Sequence, residues 1–253
     1  MKNRIWEVHY LLENECNLNC EFCFWSKRYK DIPVVKKRLI VDQIIESGIK
    51  KITISGGEPL LNKDLITVLK YIHQNKLESV IHTNGLKLTK SKIQEIKGFV
   101  NRISLSIPSI KEWQHNLQVI ENLNKENIKV SVKTLVSKEN QNEVVLIGQN
   151  LSKMQIEYWS LLEFKPIDRG LFNKNKFYLK NIEFRKIVRE CKNKFPNMKI
   201  RTRSLASQIE KYCFIAANGD VYKNSRKEDI RIGNVFETKL KKLIELIEKS
   251  GSS

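Results

Sequence analysis

Apolar positions along the chain follow two alternating periods. Runs such as "NRISLSI" (101–107) and "IKVSVKTLV" (128–136) place an apolar or branched residue at every second position, which predicts strands. "IWEVHYLL" (5–12), "KITIS" (51–55), "ESVIHT" (78–83) and "QIEYWSLLEF" (155–164) read the same way by their branched and aromatic content. Between them lie segments with apolar residues three and four apart, which predict helices over 34–48, 63–75, 89–96, 113–127 and 142–154. Gly48 is placed to end the first helix and Thr89 to cap the third. Six strands, each followed by a helix, argue for an α/β fold with a parallel sheet. Beyond residue 164 the pattern changes. An amphipathic helix is expected over 181–195, a hairpin over 211–225 turning at Asn218-Gly219-Asp220, and a turn entering a last helix over 232–250. The expected organisation is a core over 1–164 and an extension over 165–253.

Composition narrows this picture. A chain of 253 residues fits one domain, or one with an extension. No apolar run approaches the ~18 residues of a membrane span. The N-terminal "MKNRIWEVHY" lacks the apolar stretch of a signal peptide, and the five cysteines are few, so a reducing cytoplasm is expected. The formal charge is +18, and residues 165–203 carry thirteen Lys or Arg against three acids. This is either a solvated basic face or the mark of an anionic substrate or partner.

Three of the five cysteines stand close together in "ECNLNCEFCFW" (15–25), at Cys16, Cys20 and Cys23. A disulfide framework suits shorter secreted chains with an even count. A structural zinc site wants four ligands and would need Cys191 or Cys213 to fold back. An iron–sulfur cluster held by three thiolates leaves one iron open to an outside ligand, which suggests chemistry rather than electron storage. Phe22, Phe24 and Trp25 would shield such a cluster.

Position along the chain strengthens the third reading. In (β/α) barrels the functional groups sit at the C-terminal ends of the strands. The cysteine run follows the first strand, "SGGEPL" (55–60) the second, and "HTNG" (82–85) ends the third. All three fall on one rim. Gly56 and Gly57 would let the backbone approach a ligand, Glu58 offers a carboxylate for an ammonium, and Pro59 fixes the turn.

These motifs in this order resemble the radical S-adenosylmethionine (SAM) superfamily. The resemblance covers residues 5 to about 164 and implies a partial (β/α)6 TIM-like barrel. It implies one [4Fe–4S] cluster on Cys16, Cys20 and Cys23, with SAM chelating the open iron. Reduction of SAM then yields a 5′-deoxyadenosyl radical that takes hydrogen from a substrate. The implied SAM contacts are Phe22 near the adenine, Ser55, Gly56, Gly57, Glu58 and Pro59 around the amino group, Thr83 and Asn84, Ser104 on strand four and Thr134 on strand five. Ser104 and Thr134 also read as polar strand residues bonded locally. An electron donor such as flavodoxin or ferredoxin is implied as a partner. No catalytic residue is assigned.

Two branches of that superfamily are similar in the last third. "NGDVY" and "IGNVFETKL" resemble the auxiliary-cluster domain of peptide-modifying members, yet that domain's cysteines are missing and Lys223 stands where one often occurs. The layout otherwise resembles viperin-like members, which dehydrate nucleoside triphosphates, although "SLSIPS" and "VSVKTLV" depart from their pattern. A small anionic substrate is therefore favoured, with Arg169, Arg201 and Arg203 as its contacts, and a peptide as the alternative. A non-catalytic, metal-bearing nucleic-acid-binding protein is the alternative from another class.

Overall fold

The computed structural model describes residues 5–25, 29–111, 113–205, 212–225 and 228–250. Six strands follow the expected positions: β1 (Glu7–Glu13), β2 (Lys51–Gly56), β3 (Glu78–Thr83), β4 (Arg102–Ser106), β5 (Lys129–Val136) and β6 (Tyr158–Glu163). Helices α1 (Val34–Glu46), α2 (Leu65–Gln74), α3 (Lys90–Ile96), α4 (Trp113–Lys125) and α5 (Val144–Leu151) alternate with them. Thr89 caps α3, its hydroxyl accepting from the Lys92 amide at 3.1 Å. Past the end of α1, Gly48 sits at φ +83°, where only glycine is unstrained.

The last third adds α6 (Arg169–Phe172), α7 (Lys174–Phe177), α8 (Asn181–Lys194), β7 (Ile200–Arg203), the antiparallel pair β8 (Tyr212–Ile215) and β9 (Asp220–Lys223), β10 (Ile230–Asn234) and α9 (Leu240–Ser250). Gly219 turns the hairpin at φ +87°. The helix α8 and the hairpin fall where the sequence places them. β7 and β10 do not. "IRTR" carries arginine at two of four positions, which hides its alternation, and the turn expected from Ile232 onward is the second half of β10.

One sheet holds all ten strands in the order β10-β9-β8-β1-β2-β3-β4-β5-β6-β7. β1 to β7 are parallel neighbours, β8 joins β1 in parallel, and β9 and β10 run antiparallel at the edge. Among the described residues its two ends do not pair, so the barrel is open. One apolar core runs through both expected segments, from Val8 and Ile52 to Ile215, Val221 and Leu243. Each such side chain, fully buried, contributes roughly 1.5–3 kcal/mol.

Alternation sorts the two faces of the strands. Val8, Tyr10 and Leu12, Ile52 and Ile54, Ile103 and Leu105, Val130 and Val132, and Trp159 and Leu161 all point to the helices. Their sequence neighbours therefore line the concave face. Most of these neighbours are polar: His9, Lys51, Thr53, His82, Ser104, Ser131, Lys133 and Ser160. A buried parallel sheet ordinarily shows apolar residues on both faces. The concave face is thus a built polar interior.

Candidate active site and cofactor cradle

The cysteine loop leaves β1 and is fastened on three sides. At its root, Glu13 folds its carboxylate back to accept the amides of Asn14 at 2.7 Å and Glu15 at 2.9 Å. Asn62 holds the other oxygen at 3.0 Å, and the buried Lys37 bonds Asn62 and pairs with Asp64 at 2.7 Å. Asn14 Nδ2 reaches the Tyr29 carbonyl at 2.7 Å and closes the loop.

The second fastening is the turn after β2. The amide of Gly57 donates to the Glu13 carbonyl and that of Glu58 to the Glu15 carbonyl, both at 2.8 Å. A Cβ on Gly56 would lie 2.1 Å from the Glu13 oxygen, and one on Gly57 2.0 Å from that of Glu15. The glycines permit a close approach, as expected, but to the chain itself. Glu58 is 1% exposed. Its carboxylate accepts Thr83 Oγ1 at 2.7 Å, the Asn84 amide at 2.9 Å and the Leu60 amide at 3.1 Å. Burial pushes the Glu58 carboxyl up, against the pull of these three donors. Pro59 opens a buried 3-10 turn beside it. Asn84 then reaches back to Asn17 Oδ1 at 2.9 Å. Turn, strand three and cysteine loop form one ring of bonds.

The third fastening comes from the segment after β6. Gly170 donates its amide to the Cys23 carbonyl at 3.3 Å. Arg169 Nη1 bonds Asn19 and approaches the Cys20 carbonyl at 3.5 Å. Phe22 meets Phe177 edge-on at 5.6 Å.

The three thiols are free and partly exposed on this loop. Burial raises the Cys20 thiol, and the neighbouring Cys23 and Cys16 charges raise it further, while Arg169 opposes both. Burial likewise raises Cys23. The Arg169 guanidinium favours the thiolate forms of Cys20 and Cys23. Among the described residues no three His, Cys, Asp or Glu converge on a single ion. Cys191 and Cys213 are fully buried in the apolar core, so neither supplies a fourth zinc ligand. Three thiols spread along one loop suit the larger metal cluster.

The residue model of one family matches 12–148, more than half of the chain: the Radical SAM superfamily. This chain belongs to the radical SAM superfamily. A relative from Flammeovirga pacifica named S-adenosylmethionine-dependent nucleotide dehydratase is 25% identical over 272 residues, covering 96% of this chain and 91% of the relative. One of the same name from Lacinutrix mariniflava is 28% identical over 65% of this chain, which spans 40% of that relative's length. A GTP 3′,8-cyclase from Clostridium perfringens is 27% identical over 65% of this chain and 58% of its own. The solved structure of Streptococcus suis SuiB bound to S-adenosylmethionine shares the fold at TM-score 0.77 and 15% identity, over 95% of this chain and 65% of that one.

Radical SAM enzymes use a [4Fe–4S] cluster and S-adenosylmethionine, and the cradle here fits them. Cys16, Cys20 and Cys23 would hold the cluster. Ser104 Oγ and Ser131 Oγ are buried without a hydrogen-bond partner, on the concave face toward which the rim opens. Orphaned hydroxyls of this kind fit a site that awaits a ligand. Of the implied SAM contacts, Phe22, Ser55, Gly56, Gly57, Glu58, Pro59, Thr83 and Asn84 are brought together around the loop. Thr134 is not. It lies on the helix-facing side of β5, donating to the Ile107 carbonyl and accepting from Trp159 Nε1, both at 2.9 Å.

The concave face also holds groups that the motifs did not single out. Lys133 Nζ lies 2.6 and 2.9 Å from the two ring nitrogens of His82. Burial lowers the Lys133 ammonium to about 7, and lowers His82 well below its ordinary value, with Lys133 adding to the effect. His9 sits beside His82 at 5.3 Å and stacks on Tyr212 at 4.1 Å. Burial would raise the Glu7 carboxyl, but His9, Lys51 and Thr53 outweigh it and hold it low. Arg201 stacks over the Tyr158 ring at 3.5 Å. Arg203 is near enough to Lys133 to add to its lowering, and to Tyr212 to oppose the rise that burial imposes on the phenol. Arg169 instead is spent on the cysteine loop. His82 and Lys133 were legible only as polar residues at alternate positions of buried strands.

Proposed function

We propose that this radical SAM enzyme acts on a nucleotide-class anion whose phosphates sit against the concave face of the sheet. The observation that carries this reading is Lys133. It is an interior ammonium that pairs with no carboxylate among the described residues and rests instead against a neutral imidazole. Buried charge is stable when paired. An anionic ligand would supply the missing partner, and Arg203, whose charge Lys133 senses, adds to the positive field there. Relatives named for acting on nucleotides support the same substrate class.

When bound, the [4Fe–4S] cluster and S-adenosylmethionine supply a one-electron reduction and the abstraction of a substrate hydrogen. The chain's part is placement. The cysteine loop, held by Gly57, Glu58 and Arg169, fixes where the reacting carbon must lie. Ser104 and Ser131 stand level with His82, one inward-facing step deeper along the sheet than Lys133, and offer hydroxyls as further donors beside that ammonium. The buried strands exclude water from both.

Anaerobic protein with S-adenosylmethionine and dithionite, challenged with panels of deuterated nucleoside triphosphates and peptides, tests this. Deuterium in 5′-deoxyadenosine should come from a nucleotide, and Lys133→Met should abolish it. Transfer from a peptide alone would establish peptide modification instead. Cys16→Ala, Cys20→Ala and Cys23→Ala should each lose the iron. A chain that binds nucleic acid but neither iron nor S-adenosylmethionine would return the non-catalytic reading.

A further inference from the structure

We propose that the surface formed by α6, α7 and the start of α8 docks a small acidic one-electron carrier protein that reduces the cluster. This rests on the cluster reading of Cys16, Cys20 and Cys23.

Three observations converge there. The first is position. Gly170, Arg169 and Asn173 bond the cysteine loop directly, at the Cys23 carbonyl, at Asn19 and at the Glu21 carbonyl. Leu171 and Phe172 lie between these contact points in the chain, on the short helix that bonds the cysteine loop. Electron transfer slows steeply with distance, and a protein donor must dock close. The second is exposed apolar surface. Phe172 is 86% exposed, Ile182 72% and Leu171 54%. Large apolar side chains left this exposed along one short stretch of chain suit an interaction site. The third is charge. Residues 171–189 carry six Lys or Arg against one Glu. In 171–194 the ion pairs are those of Lys176 with Glu21 and Glu139, and Lys194 with Glu190. Lys174, Lys180 and Arg185 enter none among the described residues. An apolar centre with unpaired cations around it complements an acidic partner and speeds its encounter. The transfer balances simply: the carrier loses one electron, the cluster gains it, and no atom moves.

The test uses the reconstituted full chain and an acidic flavodoxin in its hydroquinone form as the probe. Two variants are compared with the parent: the triple exchange Lys174→Glu, Lys180→Glu, Arg185→Glu, and Phe172→Ser. Cluster bleaching is timed with flavodoxin and, in the same preparation, with dithionite, which needs no docking. The ratio of the two rates should fall about ten-fold or more in the triple variant and several-fold in Phe172→Ser. Added salt should lower the parent's flavodoxin rate. An unchanged ratio in both variants overturns the proposal. If the ratio holds while peptide turnover falls, the face belongs to a substrate. If it holds while self-association is lost, the face belongs to a second copy of the chain. A parent that dithionite itself cannot reduce refutes the cluster reading instead.

Discussion

The amide of Glu58 donates to the carbonyl of Glu15 over 2.8 Å, so the turn after the second strand is stitched to the cysteine loop by backbone alone. Gly57 must be glycine for this to happen, since a Cβ there would enter the Glu15 oxygen. Gly57→Ala should therefore push the two loops apart. The expected cost is about 1–3 kcal/mol, with iron content well below the ~4 per chain of one cluster. Iron analysis and thermal melting check this; a variant that keeps both values would show the approach is not needed.

Glu58 is a structural hub as well as a candidate SAM contact. Glu58→Ala would strand the Thr83 hydroxyl and two buried amides. We expect a loss of roughly 3 kcal/mol and a melting point lower by about 6–12 °C, even without cofactor. Glu58→Gln should lose less. An unaltered melting point with weakened S-adenosylmethionine binding would assign the carboxylate to the ligand alone.

Lys133 predicts a pH dependence. Its ammonium titrates at about 7 in the folded chain and ordinarily near 10.5. Between those values the unfolded chain holds a proton that the folded one lacks, so the contribution to stability rises with pH across that window. Below about 7 the charge is present and its burial is costly. Lys133→Met should accordingly stabilise the ligand-free protein most in acid. Nucleotide binding needs the charged form. Affinity should fall as pH rises above about 7, by at most ~10-fold per unit, and the variant should lose this slope. Calorimetric titration across pH reads both; equal slopes in parent and variant would remove Lys133 from the site.

Two hydroxyls separate packing from ligand binding. Thr134→Val breaks a buried bridge between Ile107 and Trp159, and should cost about 1–3 kcal/mol with cofactor affinity unchanged. Ser104→Ala removes a hydroxyl that has no partner, and should spare stability while weakening ligand binding. Melting curves beside S-adenosylmethionine titrations distinguish them, and the reverse pattern would exchange their roles.

Where the sequence was legible, periodicity and turn chemistry agreed with packing. Thr89 capped a helix and Asn218-Gly219-Asp220 turned a hairpin because each solves a local backbone problem. The rim motifs were legible because three of them ended three successive strands. His82 and Lys133 were not, since a single strand cannot reveal which neighbour a polar residue will face. Only the register, which sets His82 beside Ser104 and Ser106 beside Lys133, brings them together. Of the two readings open for Thr134, the locally bonded one matches its place, since one position along β5 separates the concave face from the helix side. Arg169 was expected at the substrate and bonds the cysteine loop instead, a contact across 150 residues that no local pattern records.

That long contact sets an order in time. β1 emerges first from the ribosome, yet one of its two flanking strands begins only at Tyr212. The three cysteines are synthesised next, long before Arg169 and Gly170 arrive to back them. A nascent chain halted at residue 164 would carry all three thiols of the cysteine loop and the whole "SGGEPL" turn. It would still show an open edge on its first strand and no support behind Cys23. The backing of the cysteine loop and the second neighbour of its strand are thus complete only once residues 169–215 have been made.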